Sequence, residues 1–212
     1  MTREYGTPDA PFVLLQPADE YDLSGMENEA AVIRSLTDVP FRLLALPVDR
    51  WNRDLSPWQA PAVFGKEPFG DGAEETLRKL LPLCGDKEKT YLLGGYSLAG
   101  LFSLWAAGRT DVFAGVAAAS PSLWFPGFVP YLAEHPVRCG AVCLSVGDKE
   151  EKARNRVLAS VGDRIRETKS LLEEQGVRCT LQIHPGNHFQ EPDVRTAKAF
   201  TWVLDRTAHT AT

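Results

Sequence analysis

Ser97 lies in the run Tyr91-Leu92-Leu93-Gly94-Gly95-Tyr96-Ser97-Leu98-Ala99-Gly100-Leu101-Phe102, between one apolar stretch and a second that small residues open. A serine at such a junction suits nucleophilic attack. A sharp strand-to-helix turn presents its hydroxyl, and bulky residues two positions to either side would collide. Gly95 and Ala99 occupy those two positions. The turn also sets Ser97 at a helix N-terminus, where unpaired N–H groups and the helix dipole favour developing negative charge. Leu98 N–H is the first expected donor to an oxyanion. The second should come from the loop after an earlier strand, Gln16-Pro17-Ala18-Asp19, where Pro17 has no N–H to give. Ala18 is the expected donor, with Asp19 next. The plainer alternative, a serine that only caps a helix, leaves the paired glycines without a purpose.

A serine nucleophile needs a base and an acid, and on this kind of turn the chain order is serine, acid, histidine. His188 follows Pro185-Gly186-Asn187, in a loop expected at the same carboxyl edge of the sheet as Ser97, and is the expected base. His184 is the alternative if the last strand ends sooner. The acid should follow the apolar run 141–146, where the sequence reads Gly147-Asp148-Lys149-Glu150-Glu151. Glu150, three residues past the glycine, is the first choice, Asp148 the alternative and Glu151 the third. Such a carboxylate accepts from the imidazole and fixes its tautomer, although acids here would also suit the start of a helix.

These residues need a frame. Short apolar runs at 11–16, 41–47, 90–95, 112–120, 140–147 and 178–184 alternate with amphipathic stretches, which predicts six strands in a mostly parallel sheet covered by helices on both faces, an α/β three-layer sandwich. Helices are expected over 23–36, 72–81, 151–175 and 189–205, besides the apolar one after Ser97, with 207–212 as a frayed tail. The segment 48–71 holds Pro57, Pro61, Pro68, Trp51, Trp58, Phe64 and Phe69. It is too aromatic for disorder and is expected to act as a cap or pocket wall, or else as a packed surface loop.

At 212 residues, with 44% hydrophobic and 24% charged residues, the composition is that of a single globular domain. A net charge of -5 argues against general nucleic-acid binding. Residues 1–20 lack the basic start and apolar run of a secretory signal, and no apolar run approaches the roughly 18 residues of a membrane span. Cys84, Cys139, Cys143 and Cys179 lack metal-ligand spacing with the histidines. The expectation is a cytoplasmic protein with no metal, membrane or nucleic-acid partner.

Three segments resemble the esterase family of the α/β-hydrolase superfamily that includes ferric-enterobactin esterases: Gly95-Tyr96-Ser97-Leu98-Ala99-Gly100, Ala119-Ser120-Pro121-Ser122-Leu123-Trp124 and Pro185-Gly186-Asn187-His188-Phe189. The likeness runs from Tyr91 onward. It implies an α/β-hydrolase fold, Ser122 and Trp124 as pocket residues, and Glu150 as the acid within Val146-Gly147-Asp148-Lys149-Glu150; Tyr96, next to the nucleophile, is expected to line the same pocket. Ala99 stands where a second glycine is more usual, the antiparallel strands that normally open the fold are missing or reduced, and basic residues for a catecholate siderophore are not evident. With Trp51, Trp58, Phe69 and Trp124 expected to shape an apolar pocket, the reading is a serine esterase acting on a small-molecule carboxylic ester without a cofactor. A thioesterase, peptidase or acyltransferase on the same triad is the alternative, or a non-catalytic binding protein of the same fold.

Overall fold

A computed structural model describes residues 2–209. The chain runs β1 (Arg3–Gly6), β2 (Phe12–Ala18), α1 (Glu20–Leu36), β3 (Phe41–Pro47), α2 (Trp51–Asp54), α3 (Ala73–Leu80), β4 (Thr90–Tyr96), α4 (Leu98–Arg109) and β5 (Phe113–Ala119). It continues α5 (Phe128–Glu134), β6 (Ala141–Gly147), α6 (Arg156–Ala159), α7 (Val161–Glu174), β7 (Arg178–His184) and α8 (Pro192–Ala208). The seven strands lie in the order β1-β3-β2-β4-β5-β6-β7, all parallel except β1, which pairs antiparallel with β3. Six strands were expected. The seventh is β1, whose sequence Arg-Glu-Tyr-Gly is short and largely exposed, as an edge strand is, and carries no apolar run.

The central strands are apolar along their whole length because both faces are covered. On one face, Leu14, Leu92, Ala117 and Cys143 pack against Met26 and Ile33 of α1 and Phe200, Val203 and Leu204 of α8. On the other, Leu15, Leu93, Val116 and Leu144 pack against Leu77 of α3, Phe102 of α4, Phe128 of α5 and Ile165 of α7.

The helix expected over 151–175 is broken. A 3₁₀ turn at Glu150–Lys152 is followed by α6 and α7, because the Asn155 side chain accepts from the Val157 and Leu158 N–H groups and starts a new helix. The final helix starts three residues later than expected, with Pro192 in its first turn, which leaves Phe189 outside it and 83% exposed. It continues to Ala208, so residues 207 and 208 are helical rather than a frayed tail; 210–212 lie outside the described residues. No described helix is long and apolar enough to cross a membrane.

Segment 48–71 holds α2 and a bridge between Ala60 and Phe69. Trp58 packs its ring 5.6 Å from Phe125 and 5.2 Å from Tyr131, and donates its indole N–H to the Pro126 carbonyl. The segment is thus tied to the loop that follows β5.

Candidate active site

β4 passes into α4 without a loop, and at the junction Ser97 has φ +56° and ψ −118°. A residue other than glycine stays there only when its surroundings hold it. The Ser97 N–H donates to the Ala119 carbonyl at 3.0 Å, and its own carbonyl accepts from Ser122 N–H and Leu101 N–H, each at 3.1 Å. Gly95 has φ +158°, and a Cβ there would lie 2.5 Å from Ala99 Cβ. Gly95→Ala is therefore expected to cost about 2 kcal/mol through overpacking, measured as a lower urea midpoint at unchanged slope.

The loops after β6 and β7 converge on this turn. His188 Nε2 lies 3.0 Å from Ser97 Oγ, and His188 Nδ1 lies 2.8 Å from Glu150 Oε2. Because a carboxylate can only accept, Nδ1 carries the proton and Nε2 is left to accept from the Ser97 hydroxyl. Ser122 Oγ, buried, is 3.1 Å from Ser97 Oγ and can donate to it. His184, the alternative base, ends β7 away from Ser97, with a buried Nε2 that has no hydrogen-bond partner. Asp148 instead accepts from Gly186 N–H at 2.7 Å and so ties the acid loop to the histidine loop, while Glu151 pairs with Arg166 on the surface.

Glu150 is 6% exposed. Burial pushes its carboxyl up, but the His188 bond and charge, together with bonds from Gly147 N–H and Ser120 Oγ, outweigh burial and leave it below the usual 4.5. The sign follows from linkage: a carboxyl depressed in the folded state adds stability above its unfolded value and loses it as pH falls through the folded value. The stability deficit of a Glu150→Gln variant is therefore expected to be full at pH 6 and to shrink below about pH 4, as thermal melts across that range would record.

The sequence reading missed Arg195. It is 2% exposed on α8 and donates through Nη1 to Glu150 Oε1 (3.1 Å), the Tyr96 hydroxyl (3.1 Å) and Ser120 Oγ (3.4 Å). Through Nη2 it donates to the carbonyls of Pro185 and Asn187, each at 2.9 Å. One guanidinium thus joins the acid to both ends of the histidine loop. The Tyr96 hydroxyl, which donates to the His188 carbonyl at 2.8 Å, is pushed up to about 12 chiefly by burial.

A cavity of about 170 Å³ opens over Ser97 and His188, bounded by Asp19, Tyr21, Asp22, Trp51, Tyr96, Phe189 and Pro192. Trp51 and Tyr96 are where the sequence placed them. Trp58, Phe69 and Trp124 are not brought to this cavity: the tilted rings of Phe69 and Trp124 lie 5.8 Å apart, each also edge-on to Phe64, in a separate aromatic cluster. Ala18 ends β2 fully buried, and it is Asp19 that borders the cavity, so the next residue along is the better placed second oxyanion donor. Leu98, at the first turn of α4, has no intrahelical acceptor for its N–H.

Asp22, beside Asp19, is pushed up to about 7 by burial first and the Asp19 charge second. An acid raised this way costs stability as pH climbs from 3.8 toward 7, because the unfolded chain releases its proton first. Asp22→Asn is expected to raise the melting temperature by a few degrees at pH 8 and to leave it nearly unchanged at pH 3.5, by calorimetry.

No family model and no curated protein matches the chain. Solved structures do. The siderophore hydrolase EstA of Aspergillus nidulans superposes with a TM-score of 0.70 at 20% identity, covering 95% of this chain and 85% of its own. An IroE-like serine hydrolase from Shewanella oneidensis gives 0.75 at 13% identity, covering 96% and 75%. A protein of unknown function from Agrobacterium tumefaciens, described with the α/β hydrolases, gives 0.60 at 15%, covering 99% and 91%. At these identities the likeness speaks to architecture, and together with the strand order and the turn at Ser97 it gives this chain the α/β-hydrolase fold.

Proposed function

We propose that the protein is a serine esterase that cleaves a carboxylic ester through an acyl-enzyme. The observation that carries this reading is the continuous chain Ser97 Oγ, His188, Glu150, with links of 3.0 and 2.8 Å, at a strained turn. Ser97 Oγ attacks the ester carbonyl as His188 Nε2 takes its proton, and Glu150 stabilises the imidazolium that forms. The oxyanion is met by the Leu98 N–H and the Asp19 N–H. His188 then protonates the leaving alcohol, which departs. Water enters and attacks the acyl carbonyl as His188 takes its proton; His188 then returns that proton to Ser97 Oγ as the Ser97–acyl bond breaks and the carboxylic acid is released. These steps require no cofactor.

EstA is a siderophore hydrolase. Asp19 and Asp22 at the cavity beside Ser97 are a poor match for a highly anionic ligand such as a ferric catecholate, so we restrict the reading to neutral or cationic esters. The test is hydrolysis of p-nitrophenyl acyl esters of increasing chain length, beside fluorophosphonate labelling. Turnover with labelling at Ser97 supports the esterase. Absence of both, in folded protein, moves the reading to a binding protein on the same fold.

A further inference from the structure

The chain leaves β5 through Ser120-Pro121-Ser122, with Ser120 at φ +39°. Both serines are buried, and they reach opposite ends of the triad. Ser120 Oγ donates to Glu150 Oε1 at 2.8 Å. Ser122 meets the nucleophile twice: its N–H donates to the Ser97 carbonyl, and its Oγ lies 3.1 Å from Ser97 Oγ.

The direction of the hydroxyl bond follows from counting protons. His188 Nδ1 gives its proton to Glu150, so Nε2 accepts, and the single proton of the Ser97 hydroxyl goes there. Ser97 Oγ has no proton left for Ser122, and the Ser122 hydroxyl is therefore the donor. Among the described residues this is the one hydrogen bond that hydroxyl makes. A buried hydroxyl most often bonds a backbone group. This one directs its proton at the attacking atom.

We propose that Ser122 is a further catalytic residue, a fixed donor that stabilises the negative charge arising on Ser97 Oγ in both halves of the reaction. The role rests on the esterase reading. In acylation, Oγ bonds to the acyl carbon as its proton passes to His188 Nε2, and it carries partial negative charge while the two changes are incomplete. In deacylation the same bond breaks, its electron pair returns to Oγ, and Nε2 hands the proton back. Ser122 keeps its own proton throughout. A hydrogen bond to an ionised oxygen is about twice as strong as one to a neutral oxygen. In the free enzyme Oγ is a neutral hydroxyl, and in the acyl-enzyme it is an ester oxygen, a weaker acceptor. The bond is thus strongest at the two barriers and lowers them without tightening substrate binding.

The test is to resolve the acylation and deacylation rates with p-nitrophenyl acetate, by stopped flow, in the wild-type, Ser122→Ala and Ser122→Cys proteins, with melting temperatures recorded beside them. Both rates are expected to fall about 10- to 100-fold in Ser122→Ala, the scale of a hydrogen bond to a charged group, with KM little changed. Cysteine fills the serine's space but is a weak donor, so Ser122→Cys should recover little of the rate. It also carries the test if the alanine variant fails to fold.

Rates near wild type in Ser122→Ala, or a full recovery by cysteine, overturn the proposal, the second because packing alone would then explain the loss. A loss confined to one half of the reaction, or a raised KM at unchanged kcat, overturns it too and leaves the esterase standing. No turnover and no fluorophosphonate labelling in folded wild-type protein overturns the esterase reading, and the role of Ser122 goes with it.

Discussion

Ser97→Ala is expected to lower ester hydrolysis by roughly 10⁴- to 10⁶-fold while leaving the protein folded. The substitution removes one oxygen, which is bonded to His188 and Ser122, and the strained backbone beneath it is held by Ala119, Ser122 and Leu101 through main-chain contacts that alanine keeps. His188→Ala should cost nearly as much, and the double variant little more than either alone, because the groups act as one unit. Single-turnover kinetics with a p-nitrophenyl ester would read this directly. Additive losses in the double variant would mean that the two residues do not share a step.

Arg195→Met should have the largest effect on stability. The guanidinium is buried, and its loss strips one charged partner from Glu150 and leaves the Pro185 and Asn187 carbonyls without their donor. Breaking a buried pair on one side costs about 3–5 kcal/mol, which for a chain of this length lowers the melting temperature by roughly 10 °C. Activity should fall as well, because both carbonyls belong to the loop that carries His188, and a displacement of about 1 Å at the reacting groups can cost about 100-fold. Arg195→Lys is expected to recover only part of either loss, since an ammonium can reach the carboxylate or the carbonyls but not the whole fork of partners. A shift of the pH–rate profile in Arg195→Lys protein, beyond a simple drop in melting temperature, would separate positioning of the site from plain support of the fold.

The frame was legible because most buried parallel strands leave continuous apolar runs, and each of the six expected segments became a strand. β1 was not, since four mostly exposed residues at a sheet edge carry no such run. Ser97, Glu150 and His188 could be read because each sits at a fixed place in a strand-end loop, where turn chemistry and glycine spacing mark position. Arg195 could not. A lone arginine within an amphipathic helix reads as a solvated face, and only the packing of α8 across β4, β5 and β6 turns it inward. Trp58, Phe69 and Trp124 mislead for the opposite reason: aromatic residues near a site serve equally to line a pocket or to pack behind one, and sequence carries no direction. Asp22 was silent because a helical acid is ordinary until burial makes it costly.

The helix α8 covers one face of the sheet with Phe200, Val203 and Leu204 and also carries Arg195 to Glu150. It follows all seven described strands. During synthesis, therefore, every strand can exist while Leu14, Leu92, Ala117 and Cys143 still face water and the buried acid has no guanidinium. A nascent chain halted before residue 192 should be inert toward ester and prone to association through that open face. Emergence of α8 would cover that face and complete the site in the same event.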